Sequence, residues 1–191
     1  MHAPVTLTTP EARYRGLRMT AKEYLALPQD GFKYELIDGV VCMSPSANFR
    51  HQTIQGRIVG QIDAYLLGNP IGKVAPEADV RLGPDLVYRP DVVFVRSDKA
   101  VRCGAAVTEV PDLVVEIISP ESRSYDSKTK RGDYEATGVG EYWLIDPEQK
   151  SFRFLVLRDG AFVEAVPTGD RYAAHVLPGF ELDLDLVRRL F

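Results

Sequence analysis

Two carboxylates stand where the sequence is otherwise apolar. In Leu113-Val-Val-Glu-Ile-Ile118, five aliphatic residues surround Glu116, and a run of this kind reads as a strand buried on both faces. Alternation along that strand turns Glu116 to the side of Val114 and Ile118. An ionised carboxylate in such a layer is very costly unless something meets it. Either a neutralising Arg or Lys (or a half-wet strand end) accounts for it, or a metal ion does. Pro90-Asp91-Val-Val-Phe-Val95 repeats the pattern. Asp91 leads a strongly apolar strand, and Pro90 confines that point to a strand start or edge. Alone, Asp91 also reads as a strand-entry residue bonding a backbone N–H. If the two strands are neighbours, both acids converge on one divalent ion. Mg²⁺ takes one or two carboxylates, waters and substrate phosphate oxygens, and a cation keeps two adjacent carboxylates ionised.

A third cluster is Tyr125-Asp-Ser-Lys-Thr-Lys-Arg131. On a helix, Asp126 and Lys130 share one face. They form either a solvated ion pair of a few tenths of a kcal/mol or an ammonium beside the metal site, where it orients the nucleophile and steadies charge on phosphate oxygens. Arg123, Lys128 and Arg131 flank that pair. They read as a positive rim for nucleic-acid phosphates or as a plain solvated helix face. His51 lies one turn before Ile54 on an apolar helical stripe, where a lone histidine also fits as a core or helix-end residue.

The elements that must position these groups follow from periodicity. Thr20-Ala-Lys-Glu23 is a capping box, so a short helix starts near Thr20 and stops before Pro28. Tyr34–Met43 reads as a hairpin turning at Asp38-Gly39. Ile54, Ile58, Ile62 and Leu66 recur every four residues, predicting a helix from about Asn48 to Leu67. Strand-like runs follow at Lys73–Leu82, Val87–Val95 and Asp112–Ser119. A polar stretch at Pro120–Ser127 then leads into a helix ending near Thr137-Gly138. Tyr142–Ile145 reads as a buried strand, Phe152–Leu157 and Ala161–Val166 as a second hairpin around Asp159-Gly160, and Leu184–Leu190 as a last helix. The class is therefore α/β, a mixed β-sheet with helices on both faces.

Composition narrows the function. The chain has 191 residues, enough for one domain with a sizeable core. Its 23 Lys and Arg against 27 Asp and Glu give a net charge of −4, which excludes coating of nucleic acid by bulk positive charge but not contact at a local patch. Cys42 and Cys103 cannot build a disulfide framework or a zinc site alone, and they fit a reducing cytoplasm. The N-terminal stretch, read as an arm over residues 1–18, has no secretory pattern, and no apolar run approaches the roughly 18–20 residues of a membrane span. No phosphate loop, dinucleotide fingerprint, nucleophile elbow or H-E-x-x-H motif occurs.

Taken in order, Tyr34-Glu-Leu-Ile-Asp-Gly39, Ser44-Pro45 with His51, Arg89-Pro-Asp91, Pro111–Pro120, Asp126, Lys130, Tyr134 and Gly138–Pro147 resemble the Uma2 family of restriction-endonuclease-like proteins. That family is similar to the wider PD-(D/E)XK nucleases. The resemblance covers roughly residues 19–185. It implies a single restriction-endonuclease-like domain over 19–191, an αβα sandwich with an extra C-terminal β-hairpin. It implies Asp91 and Glu116 as ligands of Mg²⁺ (or Mn²⁺), with the Ile117 carbonyl as a third. Glu35 from the first hairpin would complete the acid cluster, and His51 would relay a proton or bind phosphate. The superfamily lysine expected at 118 is Ile118 here, and the resemblance moves that role to Lys130.

Two functions fit these residues. One is a metal-dependent nuclease cutting DNA, expected as a homodimer or higher homo-oligomer because two-strand cutting matches two-fold symmetry. The other is an inactive binding or assembly module on the same fold, since fold alone does not establish activity.

Overall fold

The computed structural model describes residues 11–44, 47–120 and 122–191. Most of the expected N-terminal arm, His2 and Pro45 lie outside the described residues.

In chain order the elements are α1 (Ala21–Tyr24), β1 (Tyr34–Ile37), β2 (Val40–Met43), α2 (Phe49–Gly68), β3 (Gly72–Pro76), β4 (Val80–Arg81), β5 (Val87–Tyr88), β6 (Val92–Arg96), α3 (Ser97–Ala100) and β7 (Leu113–Ile117). A π-helical segment, Tyr125–Lys130, runs directly into α4 (Arg131–Thr137). Then come β8 (Glu141–Asp146), β9 (Ser151–Arg158), β10 (Ala161–Ala165), β11 (Arg171–Ala173), β12 (Glu181–Asp183) and α5 (Leu184–Arg188).

Six strands form the main sheet in the order β10-β9-β8-β7-β6-β3, with β7 and β8 parallel and the other pairs antiparallel. Four short strands form a second sheet, β2-β1-β5-β4, and β11 pairs with β12. The fold is thus α/β with a mixed sheet, and the C-terminal hairpin β9–β10 extends the main sheet at one edge. Both hairpin turns carry two positive-φ residues, Asp38-Gly39 and Asp159-Gly160. Such turns match the right-handed strand twist, which is why Asp-Gly marks them.

Helices cover both faces of the main sheet, for reasons written in the pattern. The α2 stripe Ile54, Ile58, Ile62 and Leu66 is buried against Val92, Phe94, Val115 and Trp143. Asn48 caps this helix by accepting the His51 N–H at 2.9 Å, which satisfies an otherwise orphaned donor. On the opposite face Tyr134 of α4 packs with Val114, Tyr142, Leu144 and Tyr88. Gly138, in the left-handed region at φ 87, ends α4.

Two expected strands break in two. Lys73–Leu82 divides into β3 and β4 around Glu77, whose φ of 49° bends the chain out of the main sheet. Val87–Val95 divides into β5 and β6 because Pro90 has no N–H for a ladder. These breaks send β4 and β5 to the second sheet and leave Asp91 at the mouth of β6. The pair β11–β12 and the short α3 carry no strong periodic signal and go unread in the sequence. No helix among the described residues is long and apolar enough to cross a membrane. Both cysteines are free and half-buried.

Candidate active site

Strands β6 and β7 are neighbours, registered Val92 opposite Val115 and Val93 opposite Val114. Extending that register one residue before β6 and one further along β7 sets Asp91 opposite Glu116, on the face that Val93 and Val114 share. Both acids are buried, at 4% exposure each. They open on a cleft of about 570 Å³ to which Lys33, Glu35, His51, Ile117, Asp126 and Lys130 also contribute.

Each acid has its own partners. Asp91 Oδ2 accepts the Ile117 N–H at 2.7 Å, so the carboxylate is tied to the neighbouring strand. The ring Nε2 of His51 lies 3.1 Å from Asp91 Oδ2 and 3.1 Å from the Ile117 carbonyl oxygen. Both neighbours are acceptors, so Nε2 carries a hydrogen and shares it between them. Lys33 Nζ lies 3.7 Å from the other oxygen, Oδ1. Burial pushes the Asp91 carboxyl up, but the bond and charge of His51, the charge of Lys33 and the Ile117 N–H outweigh it and hold Asp91 below its ordinary value.

Glu116 faces the other cation. Its Oε1 accepts from Lys130 Nζ at 2.9 Å and from the Tyr134 hydroxyl at 3.0 Å. Burial, opposed by Lys130 and reinforced by Asp126, Asp91 and Glu35, pushes Glu116 up to about 8. Lys130 is itself buried and touches three acids: Glu116, Glu35 at 3.0 Å and Asp126 at 3.7 Å. Burial works against its charge, yet these acids hold the ammonium well above its ordinary range. Its Nζ also sits 5.2 Å from the Tyr88 ring centre and 5.7 Å from that of Tyr125, positions that favour a cation. Asp126 is raised, chiefly by burial. The pair Asp126–Lys130 is therefore no solvated surface pair; the π-helical segment turns both side chains inward.

Glu35 joins the cluster from β1, accepting the Arg89 N–H at 3.0 Å as well as Lys130. Gln55, buried one helical turn beyond His51, donates to the Asp91 carbonyl at 2.7 Å. Gln55 and Lys33 were missed in the sequence. Its place four residues after His51, beside the isoleucine stripe, was the available signal for Gln55; a lysine just before a hairpin gives none.

The expected positive rim stands outside the cleft. None of Arg123, Lys128 and Arg131 lines the cleft. Arg123 forms a bidentate pair with Asp146, Arg131 faces Glu135 at 3.6 Å, and Lys128 is exposed on the π-helical segment. The physical reason is that the buried Asp146 carboxylate needs a cation, and Arg123 meets it. The cleft's cations are instead Lys33, Arg50, Arg89 and Lys130.

A family model, Uma2, described as "Putative restriction endonuclease", matches residues 21–185. The chain belongs to the Uma2 family. Of the residues quoted above, Glu35, His51, Arg89, Asp91, Glu116, Asp126 and Lys130 line the cleft. A solved structure titled as a "putative nuclease belonging to DUF820" from Anabaena variabilis superposes with a TM-score of 0.74 at 21% identity, covering 90% of this chain and 98% of that one. That likeness supports the shared fold. A comparison with curated proteins gives no match.

The donor chemistry fits a hard divalent ion. A carboxylate oxygen of Asp91 and the Ile117 carbonyl oxygen each lie 3.1 Å from His51 Nε2, and Glu116 immediately precedes Ile117 on the same strand. Among the described residues, no three His, Cys, Asp or Glu side chains cluster as a ready-made cage. Mg²⁺ does not need one, since it keeps several waters and binds through one or two carboxylates.

Proposed function

We propose that the chain is a metal-dependent nuclease that hydrolyses phosphodiester bonds of DNA. The observation that carries this reading is the placement of Asp91 and Glu116, from adjacent strands, on one face and in one cleft beside the Ile117 carbonyl. Asp91, Glu116 and that carbonyl would hold Mg²⁺ or Mn²⁺. Bound there, the ion would lower the pKa of a coordinated water and offset charge on the scissile phosphate. Membership of the Uma2 family supports nuclease chemistry in general.

The chain's own residues supply position and charge. Lys130 assists by holding Glu116 and Glu35 in place. Tyr134 fixes the Glu116 rotamer through Oε1. His51 is within hydrogen-bond reach of Asp91, where a proton relay is geometrically open to it. A homodimer is the assembly proposed with this chemistry, and light scattering at micromolar concentration tests it; a strictly monomeric mass rejects it.

Calorimetry with Mn²⁺, paired with a plasmid-cleavage assay, tests the reading as a whole. Wild type should bind the ion and nick or linearise DNA only in its presence. Glu116→Ala should keep the fold and abolish cleavage. Metal binding without any cleavage of DNA would leave the inactive-module reading in its place.

A further inference from the structure

The cleft's four cations are not equally available. Lys130 is 7% exposed in its side chain, and its ammonium meets three carboxylates. Two of these carboxylates stand at 2.9 and 3.0 Å and the third at 3.7 Å, so the Lys130 charge is taken up by the acids at the cleft floor. Arg89 forms a two-pronged pair with Asp79 at 2.8 and 2.9 Å. Arg50 lies at the outer lip, paired with Glu148 at 3.0 Å and the Pro147 carbonyl at 2.8 Å, with its Nε–H unpartnered and its contacts away from Asp91. Lys33 differs. Its Nζ is 3.4 Å from Glu77 and 3.7 Å from Asp91 Oδ1, and its side chain is 19% exposed. Neither distance matches the roughly 2.7–2.9 Å of a strong charged hydrogen bond, and the Glu77 partner is 40% exposed.

Resting on the nuclease reading above, we infer that Lys33 is the side chain that meets a substrate phosphate in this cleft. Lys33 stands on the free side of Asp91, opposite the oxygen engaged by His51 and the Ile117 N–H. A phosphate entering the cleft beside Asp91 would lie within reach of this ammonium. The loose contact to Glu77 is readily exchanged for a phosphate oxygen, because an ion pair with an exposed partner is weak. Lys130 then organises the acids, and Lys33 faces the substrate.

The test is the salt dependence of binding to a fluorescein-labelled 20-base-pair DNA duplex, read by anisotropy in Ca²⁺ buffer across a KCl series, with gels confirming an uncut probe. Each phosphate contact contributes about 0.9 to the slope of log K against log salt. Lys33→Met and Lys33→Gln should each reduce that slope by about 0.9 and weaken binding several-fold at moderate salt, whereas Lys33→Arg should keep the wild-type slope. If Lys33 only neutralises Asp91, the uncharged variants tighten Mn²⁺ binding and leave the slope unchanged, and the inference is overturned. A wild type that binds no duplex overturns the nuclease reading and this inference with it, so the two failures are distinct.

Discussion

Lys130 Nζ lies 2.9 Å from Glu116 Oε1 with both side chains buried at the floor of the cleft. An ammonium could not be held there unpaired, since a lone buried ion costs several kcal/mol. The lysine also holds Glu35 and Asp126, so one ammonium stands against three acids.

Removing that ammonium should therefore be severe. Lys130→Met is expected to lower unfolding stability in urea by about 3–5 kcal/mol, the cost of orphaning a buried partner. Adding Glu116→Gln to it should restore part of the loss, because the two changes share one interaction. Strict additivity of the two would contradict the pairing.

The same burial sets a pH dependence. Glu116 has an ordinary value of 4.5 and is raised to about 8 in the fold. Between those values the folded chain keeps a proton that the unfolded chain has lost, so metal-free stability from this group falls as pH rises from about 4.5 to about 8. Asp91, lowered from 3.8, acts oppositely: its contribution is present above 3.8 and is lost as pH falls through its lowered value. Thermal melts across this range should show the alkaline decline in wild type and lose it in Glu116→Gln.

Metal binding should follow the same proton. Ligation requires an ionised carboxylate, so Mn²⁺ affinity measured by calorimetry should rise with pH up to about 8, with proton release visible as buffer-dependent heat. Asp91→Ala should weaken binding at every pH. Affinity independent of pH over this range would remove Glu116 from the ligand set.

Arg123 supplies a contrasting case. Its pairing with Asp146 gives it a structural role at a partly exposed position, 31% by side chain. Arg123→Ala should cost about 1–2 kcal/mol of stability, less than a fully buried pair because Asp146 keeps the Glu148 and Gln149 N–H bonds. Its slope of DNA affinity against salt should equal that of wild type.

These contrasts mark what local pattern can reveal. Asp91 and Glu116 stood out because one leads and the other interrupts a strongly apolar strand, and the Asn48 cap and isoleucine stripe gave α2 almost to the residue. Glu35 and Lys130 came into view through ordered motifs. Arg123 misled because its partner lies 23 residues away, and an arginine in a polar stretch looks the same whether free or paired. Lys33 was silent because its meaning depends on how weakly it is held, a property of three-dimensional distance alone. The split of the two long strand runs depended on one left-handed backbone at Glu77 and on Pro90.

The pairing of Val92 with Val115 has a consequence for tolerance to length change. Side chains alternate sides at every step, so deleting a single residue within Leu113–Val115 would swing Glu116 away from Tyr134 and Lys130 into the layer of Ile54 and Ile58. A loop change in the connection between α3 and β7 would leave that alternation untouched. Chemistry in this protein is accordingly sensitive to the parity of one five-residue strand and indifferent to how the chain arrives there.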